Sequence, residues 1–103
     1  MRPITITEIA VLGACPRQVK ILVERYPQGL AWPTEDFCVE VARLRVNFDW
    51  LAERFLTAAA LDYYRAQRDQ AGLRLIEQGH GPGRQEAYRE TKARMFARAW
   101  AMT

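Results

Sequence analysis

The sequence has no serine, a single histidine (His80), a single asparagine (Asn47) and two cysteines, Cys15 and Cys38. The missing serine removes a common hydroxyl nucleophile, and one histidine leaves little from which to build an acid–base dyad or an imidazole metal site. No apolar run approaches the roughly 18 residues of a transmembrane helix. The opening Met1-Arg2-Pro3-Ile4-Thr5 lacks the charged-then-apolar layout of a secretory signal. These absences point to a soluble intracellular protein with no membrane partner, no catalytic residue, no metal and no cofactor.

What remains is globular in composition: 103 residues, half of them apolar and about a quarter charged. A chain of this length forms one domain. Its apolar spacing predicts six helices. Thr7 is read as the cap of a short first helix with Glu8, Ile9, Val11 and Leu12, ended by Gly13. Cys15-Pro16 opens a second, because proline at the first helical position loses no hydrogen bond. That helix runs to Tyr26 with Val19, Leu22, Val23 and Tyr26 as its buried stripe. Residues 30–33 form an extended link before Thr34, a cap for a third helix bearing Phe37, Cys38, Val41, Ala42 and Leu44.

Arg45-Val46-Asn47 breaks the pattern. A fourth helix covers about Phe48 to Leu56, with Phe48, Leu51, Ala52 and Phe55 on one face. Trp50 points elsewhere, four residues from Arg54 and within reach of a cation–π contact. Thr57 caps a fifth helix that continues to about Gln78 and carries Leu61, Tyr64, Arg68, Ala71 and Leu75 at helical spacing. Arg68 interrupts this seam, so it is not a clean coiled coil. The breaker Gly79-His80-Gly81-Pro82-Gly83 leads to a sixth helix, from about Arg84 to Ala101, with Tyr88, Met95, Phe96, Ala99 and Trp100 near one side. Ile4-Thr5-Ile6-Thr7 alternates too briefly to make a strand. The fold class is therefore all-α. The single domain 1–103 is read as a compact bundle of short helices (1–56), followed by two longer helices (57–103) joined at 79–83 as a hairpin or an arm.

Charge is unevenly placed. Residues 1–83 balance, and the whole excess of +3 lies in the last twenty residues, where Arg84, Arg89, Lys92, Arg94 and Arg98 face only Glu86 and Glu90. Such a helix sits on phosphates, on an acidic protein surface, or in water. Thirteen of the fifteen basic residues are arginine. Arginine suits interfaces through its bidentate and stacking contacts, and a GC-rich genome produces the same bias.

The chemistry candidates each have a plainer reading. Cys15 stands at a helix N-terminus, where a thiol pKa falls, but free cysteines are most often small buried hydrophobes. His80 lacks ligand-type neighbours and reads as a loop histidine. The glycine-rich 79–83 segment lacks the P-loop lysine and follows no strand, so it reads as a turn. The carboxylates Glu35, Asp36, Glu40, Asp49 and Glu53 read as helix caps and arginine partners.

Several short segments carry a resemblance. Leu12-Gly13-Ala14-Cys15-Pro16-Arg17-Gln18-Val19 resembles an L-x-A-C-x-x-Q-V opening. Thr34 with Cys38 is similar to the segment that follows it, and Phe48-Asp49-Trp50-Leu51-Ala52 resembles an F-D-W-x-x-A segment. Ala87-Tyr88-Arg89 and Ala93-Arg94-Met95-Phe96-Ala97 resemble an Ala/Tyr-rich helical tail. Together they are similar to small uncharacterised helical proteins of bacteriophages and prophages. The resemblance implies a phage or mobile-element origin and a place in the cytoplasm of a bacterial host. It implies no activity and no functional residues.

Three functions fit this reading. The first is a protein-binding module that occupies a host protein surface, as inhibitors of host defence such as anti-CRISPR proteins do; the analogy rests on the resemblance. Its partner-binding residues would be Trp50, Tyr63, Tyr64, Arg65, Arg68, Tyr88, Arg89, Lys92, Arg94 and Trp100, with Trp50, Tyr63, Tyr64 and Trp100 as anchors, since Trp, Tyr and Arg dominate binding hot spots. The plainer reading of the tyrosines is that they pack the two long helices together. The second is nucleic-acid binding through the basic sixth helix. The third is a homo-oligomer that pairs the long helices between chains.

Overall fold

The computed structural model describes residues 4–27, 29, 34–77 and 83–102. Among them every regular element is an α-helix: α1 (Ile6–Val11), α2 (Pro16–Arg25), α3 (Glu35–Arg43), α4 (Phe48–Phe55), α5 (Ala58–Glu77) and α6 (Arg84–Trp100). None is long and apolar enough to cross a membrane. The expected link 30–33 and most of the Gly/Pro turn, with His80, lie outside the described residues.

Local chemistry sets most helix starts. Thr5, not Thr7, caps α1. Its hydroxyl accepts the Glu8 amide at 3.1 Å, and its own amide donates to Glu8 Oε1 at 3.4 Å. The reciprocal box needs a carboxylate three residues on, which Thr5 has in Glu8; Thr7 would find Ala10 there. Pro16 opens α2 at its first turn. The side chains of Thr34 and Asn47 accept the amides of Phe37 (3.2 Å) and Trp50 (3.1 Å) to cap α3 and α4. Thr57 accepts the Ala60 amide at 3.4 Å, at the start of α5. Gly83, with φ 79°, enters α6 through the left-handed region.

The sequence reading leaves open whether residues 57–103 reach outward or close back, and among the described residues α5 and α6 close back. α6 packs most extensively against α3 and α5 and also meets α4, while α1 and α2 pair with each other. The radius of gyration, 13.7 Å, is near the roughly 13 Å of a compact chain this long, and among the described residues α5 and α6 form no arm. α6 buries Ala93, Met95, Phe96, Ala97, Ala99 and Trp100. Phe96 meets Phe48 edge-on (5.4 Å, 63°) and stacks on Trp100 (6.1 Å, 21°), whose edge meets Phe55 (6.2 Å, 66°). Residues 1–56 therefore share their core with the last helix instead of forming a bundle of their own. Ile4, Ile9 and Leu22 bring α1 and α2 onto this core. They help line an apolar void of about 30 Å³ beside Cys38, a space no larger than one water.

Two ion pairs fix the register of α3 against α6. Arg98 meets Glu35 at 3.2 Å and Arg43 meets Glu90 at 3.0 Å. The start of α3 thus faces the end of α6, and the two helices run antiparallel. These pairs are largely solvent-exposed, so they specify alignment more than they add stability.

Candidate functional site

The interior meets its charge at Asp49, in the first turn of α4. Its Oδ1 accepts the Tyr64 hydroxyl at 2.8 Å and Arg68 Nη1 at 3.2 Å, and its Oδ2 accepts Lys92 Nζ at 3.0 Å. One carboxylate thus ties α4 to α5 and α6. Burial works to raise the Asp49 pKa. The hydrogen bonds from Lys92, Tyr64 and Arg68 and the Lys92 charge outweigh it, and the group is held below the ordinary carboxyl value. Burial and Asp49 together push the Tyr64 hydroxyl well up. At neutral pH the carboxylate is therefore ionised and the phenol neutral, with no shared proton. The arrangement clamps three helices together.

The ten residues expected to bind a partner fall into different settings. Tyr64 and Trp100 are 0% and 2% exposed, so they are core and unavailable as surface anchors. Their spacing marks a helix face, and that face turns inward. Arg68 and Lys92 are spent on Asp49, with Arg68 also 3.1 Å from Asp69. Tyr63 is half-buried against the core. Trp50 is half-buried, with the expected Arg54 guanidinium 5.8 Å from its ring centre. Arg65 is exposed, 3.9 Å from Glu53. Tyr88 is half-buried beneath the Lys92 ammonium, 5.0 Å from the ring centre. Arg89 is half-buried and Arg94 exposed; neither is part of an ion pair among the described residues.

Sequence reasoning placed Tyr64, Arg68 and Lys92 together and read Asp49 as an arginine partner, as its pair with Arg68 shows, but did not join the two. The signal was Arg68 itself: a guanidinium inside an apolar stripe requires a counter-charge. The cysteines divide likewise. Cys38 is buried, and burial with the nearby Glu35 charge pushes its thiol up to about 12. Cys15 is exposed, contrary to the buried reading.

Two surface features remain. At the far end of the α5–α6 pair, Gly72, Leu75, Ile76, Arg84, Gln85 and Tyr88 line an open groove of about 500 Å³. Ile76 and its neighbour one turn back, Leu73, are 66% and 61% exposed. Between the α3–α4 connection and α6 lies a polar cleft of about 230 Å³ that includes Arg45, Asn47, Asp49, Arg89 and Lys92. Among the described residues no three His, Cys, Asp or Glu side chains gather as metal ligands.

No family model, no curated protein and no solved structure matches this chain.

Proposed function

We propose that this is a protein-binding module of phage or mobile-element type, which acts by covering a surface of a bacterial host protein. Inhibition of host defence, in the manner of anti-CRISPR proteins, is the form of that activity the proposal favours. The observation that carries it is the aliphatic surface of Leu73 and Ile76 beside the Tyr88 groove. Two large aliphatic side chains a helical turn apart, next to a concave apolar wall and an arginine, have the make-up of an interface centre with a polar rim. α5 carries apolar residues on both sides, Leu61 and Tyr64 inward and Leu73 and Ile76 outward, as a helix with two packing surfaces does. This moves the binding surface from Tyr64 and Trp100 to the outer end of α5 and α6. The pairings of the basic helix weigh against the nucleic-acid reading, since Lys92 and Arg98 are engaged with Asp49 and Glu35.

The test is capture from bacterial lysate with nuclease present, comparing the wild type with a Leu73→Asp/Ile76→Asp double variant of unchanged helicity. A stoichiometric host protein bound by the wild type and lost by the variant is the expected result. Capture that the variant retains overturns the assignment of the surface. Recovery of nucleic acid alone, or a dimer that the variant dissolves, replaces the host partner with nucleic acid or a second copy.

A further inference from the structure

Arg45 is the one non-glycine residue with a positive φ (65°) among the described residues. L side chains rarely adopt that backbone, and such outliers are held in place by their surroundings. Here the hold is visible. The Arg45 amide donates to the Ala42 carbonyl at 2.9 Å, closing α3, and its own carbonyl accepts Gln18 Nε2 at 3.3 Å. The backbone is thus fixed at both ends while the exposed side chain takes part in no ion pair among the described residues. Arg45 instead borders the 230 Å³ cleft, with Arg89 and Lys92 of α6 on the opposite wall. Arg45 and Arg89 also border the adjoining depression, which contains Arg43, Glu86 and Glu90.

The carboxylates nearby do not neutralise this opening. Both oxygens of Asp49 are occupied by Tyr64, Arg68 and Lys92. Glu90 is held by Arg43 at 3.0 Å. Glu86 lines only the neighbouring depression. Asn47 uses its side-chain oxygen to cap α4, which leaves its amide group as a donor toward the cleft.

We propose that this cleft binds a phosphate monoester group, gripped by the Arg45 and Arg89 guanidiniums with the Asn47 amide as a further donor. Guanidinium is planar and forked, and its paired N–H groups match two oxygens of one phosphate. With a water's share of volume at about 30 Å³, the cleft holds the phosphate and part of the group that carries it. This site is independent of the partner-binding reading, because its residues are not those of the Leu73–Ile76 groove.

The experiment is a titration followed by the backbone amide signals of Arg45, Asn47 and Arg89 at constant ionic strength set with chloride. The probes are inorganic phosphate, phenyl phosphate, and a short oligothymidylate without a terminal phosphate. Saturable shifts at these amides with the first two probes are expected. Each of Arg45→Gly and Arg89→Gln weakens that binding at least tenfold. Arg45→Gly is the cleaner variant, since glycine accepts the left-handed backbone and the fold is kept. Shifts that do not saturate, or that persist unchanged in both variants, overturn the site. A response to the oligothymidylate without one to phenyl phosphate replaces the monoester with a nucleic-acid backbone.

Discussion

At Asp49 three donors from two other helices meet one half-buried carboxylate. Its pKa is depressed in the folded protein, so its contribution to stability is fully present above the ordinary carboxyl value of about 3.9. That contribution is lost as the pH falls through the lower folded value. Asp49→Asn keeps the shape but leaves Lys92 without its counter-charge and Arg68 with Asp69 alone, and is expected to cost about 1–3 kcal/mol near neutral pH. Urea unfolding of both proteins from pH 7 to pH 3 checks this. The gap between them should narrow below about pH 4; an unchanged gap would mean that the charge contributes nothing. The thiols give a second residue-scale expectation. With Ellman's reagent Cys15 reacts promptly in the native protein, whereas Cys38, buried and with its thiol pushed up to about 12, reacts only on unfolding. Prompt reaction of both thiols would show that the α3 face is open.

Among the elements, α5 carries a glycine in its interior. A Cβ added at Gly72 would lie 3.6 Å from the Tyr88 hydroxyl, an ordinary contact. Glycine inside a helix is less favourable than alanine by about 0.5–1 kcal/mol, and Gly72→Ala is expected to recover most of that in thermal unfolding. A loss of stability instead would mean that the α5–α6 contact is tighter than described. The element pattern was largely legible in the sequence. Thr34, Pro16 and the apolar stripes placed α2, α3 and α4, because caps and periodicity are local. Arg54 and Trp50 were paired from a four-residue spacing alone. Direction was not legible. Tyr64 and Trp100 resemble binding anchors as readily as core, since the outcome depends on which helix lies opposite. Val23, assigned to the inner stripe of α2, is 49% exposed for the same reason: it sits at the edge of that stripe, away from the side that meets the core.

For the molecule as a whole, the decisive fact is that α6 completes the core begun by α3 and α4. A fragment of residues 1–56 lacks Phe96, Trp100 and the other buried residues of α6, and exposes the inner faces of α3 and α4. It is expected to show weak helicity by circular dichroism and no cooperative transition. Adding a peptide of residues 84–102 should restore helix content to the mixture. A fragment that unfolds cooperatively alone would reinstate the separate bundle. None of this was legible locally, because the contact between α3 and α6 joins residues as far apart as Glu35 and Arg98.

The late position of α6 also sets an order on the ribosome. α3 and α4 are finished well before the helix that covers them. The 45 residues from the end of α4 to the end of α6 take about 2–9 s to add at about 5–20 residues per second. For that interval Phe48, Leu51 and Val41 lack the cover that α6 supplies, although α-helix formation itself takes about a microsecond. The nascent chain therefore passes through a stage in which the segments of α3 and α4 are complete but lack the helix that holds them in place, and chaperones that grip exposed apolar segments have seconds in which to meet it.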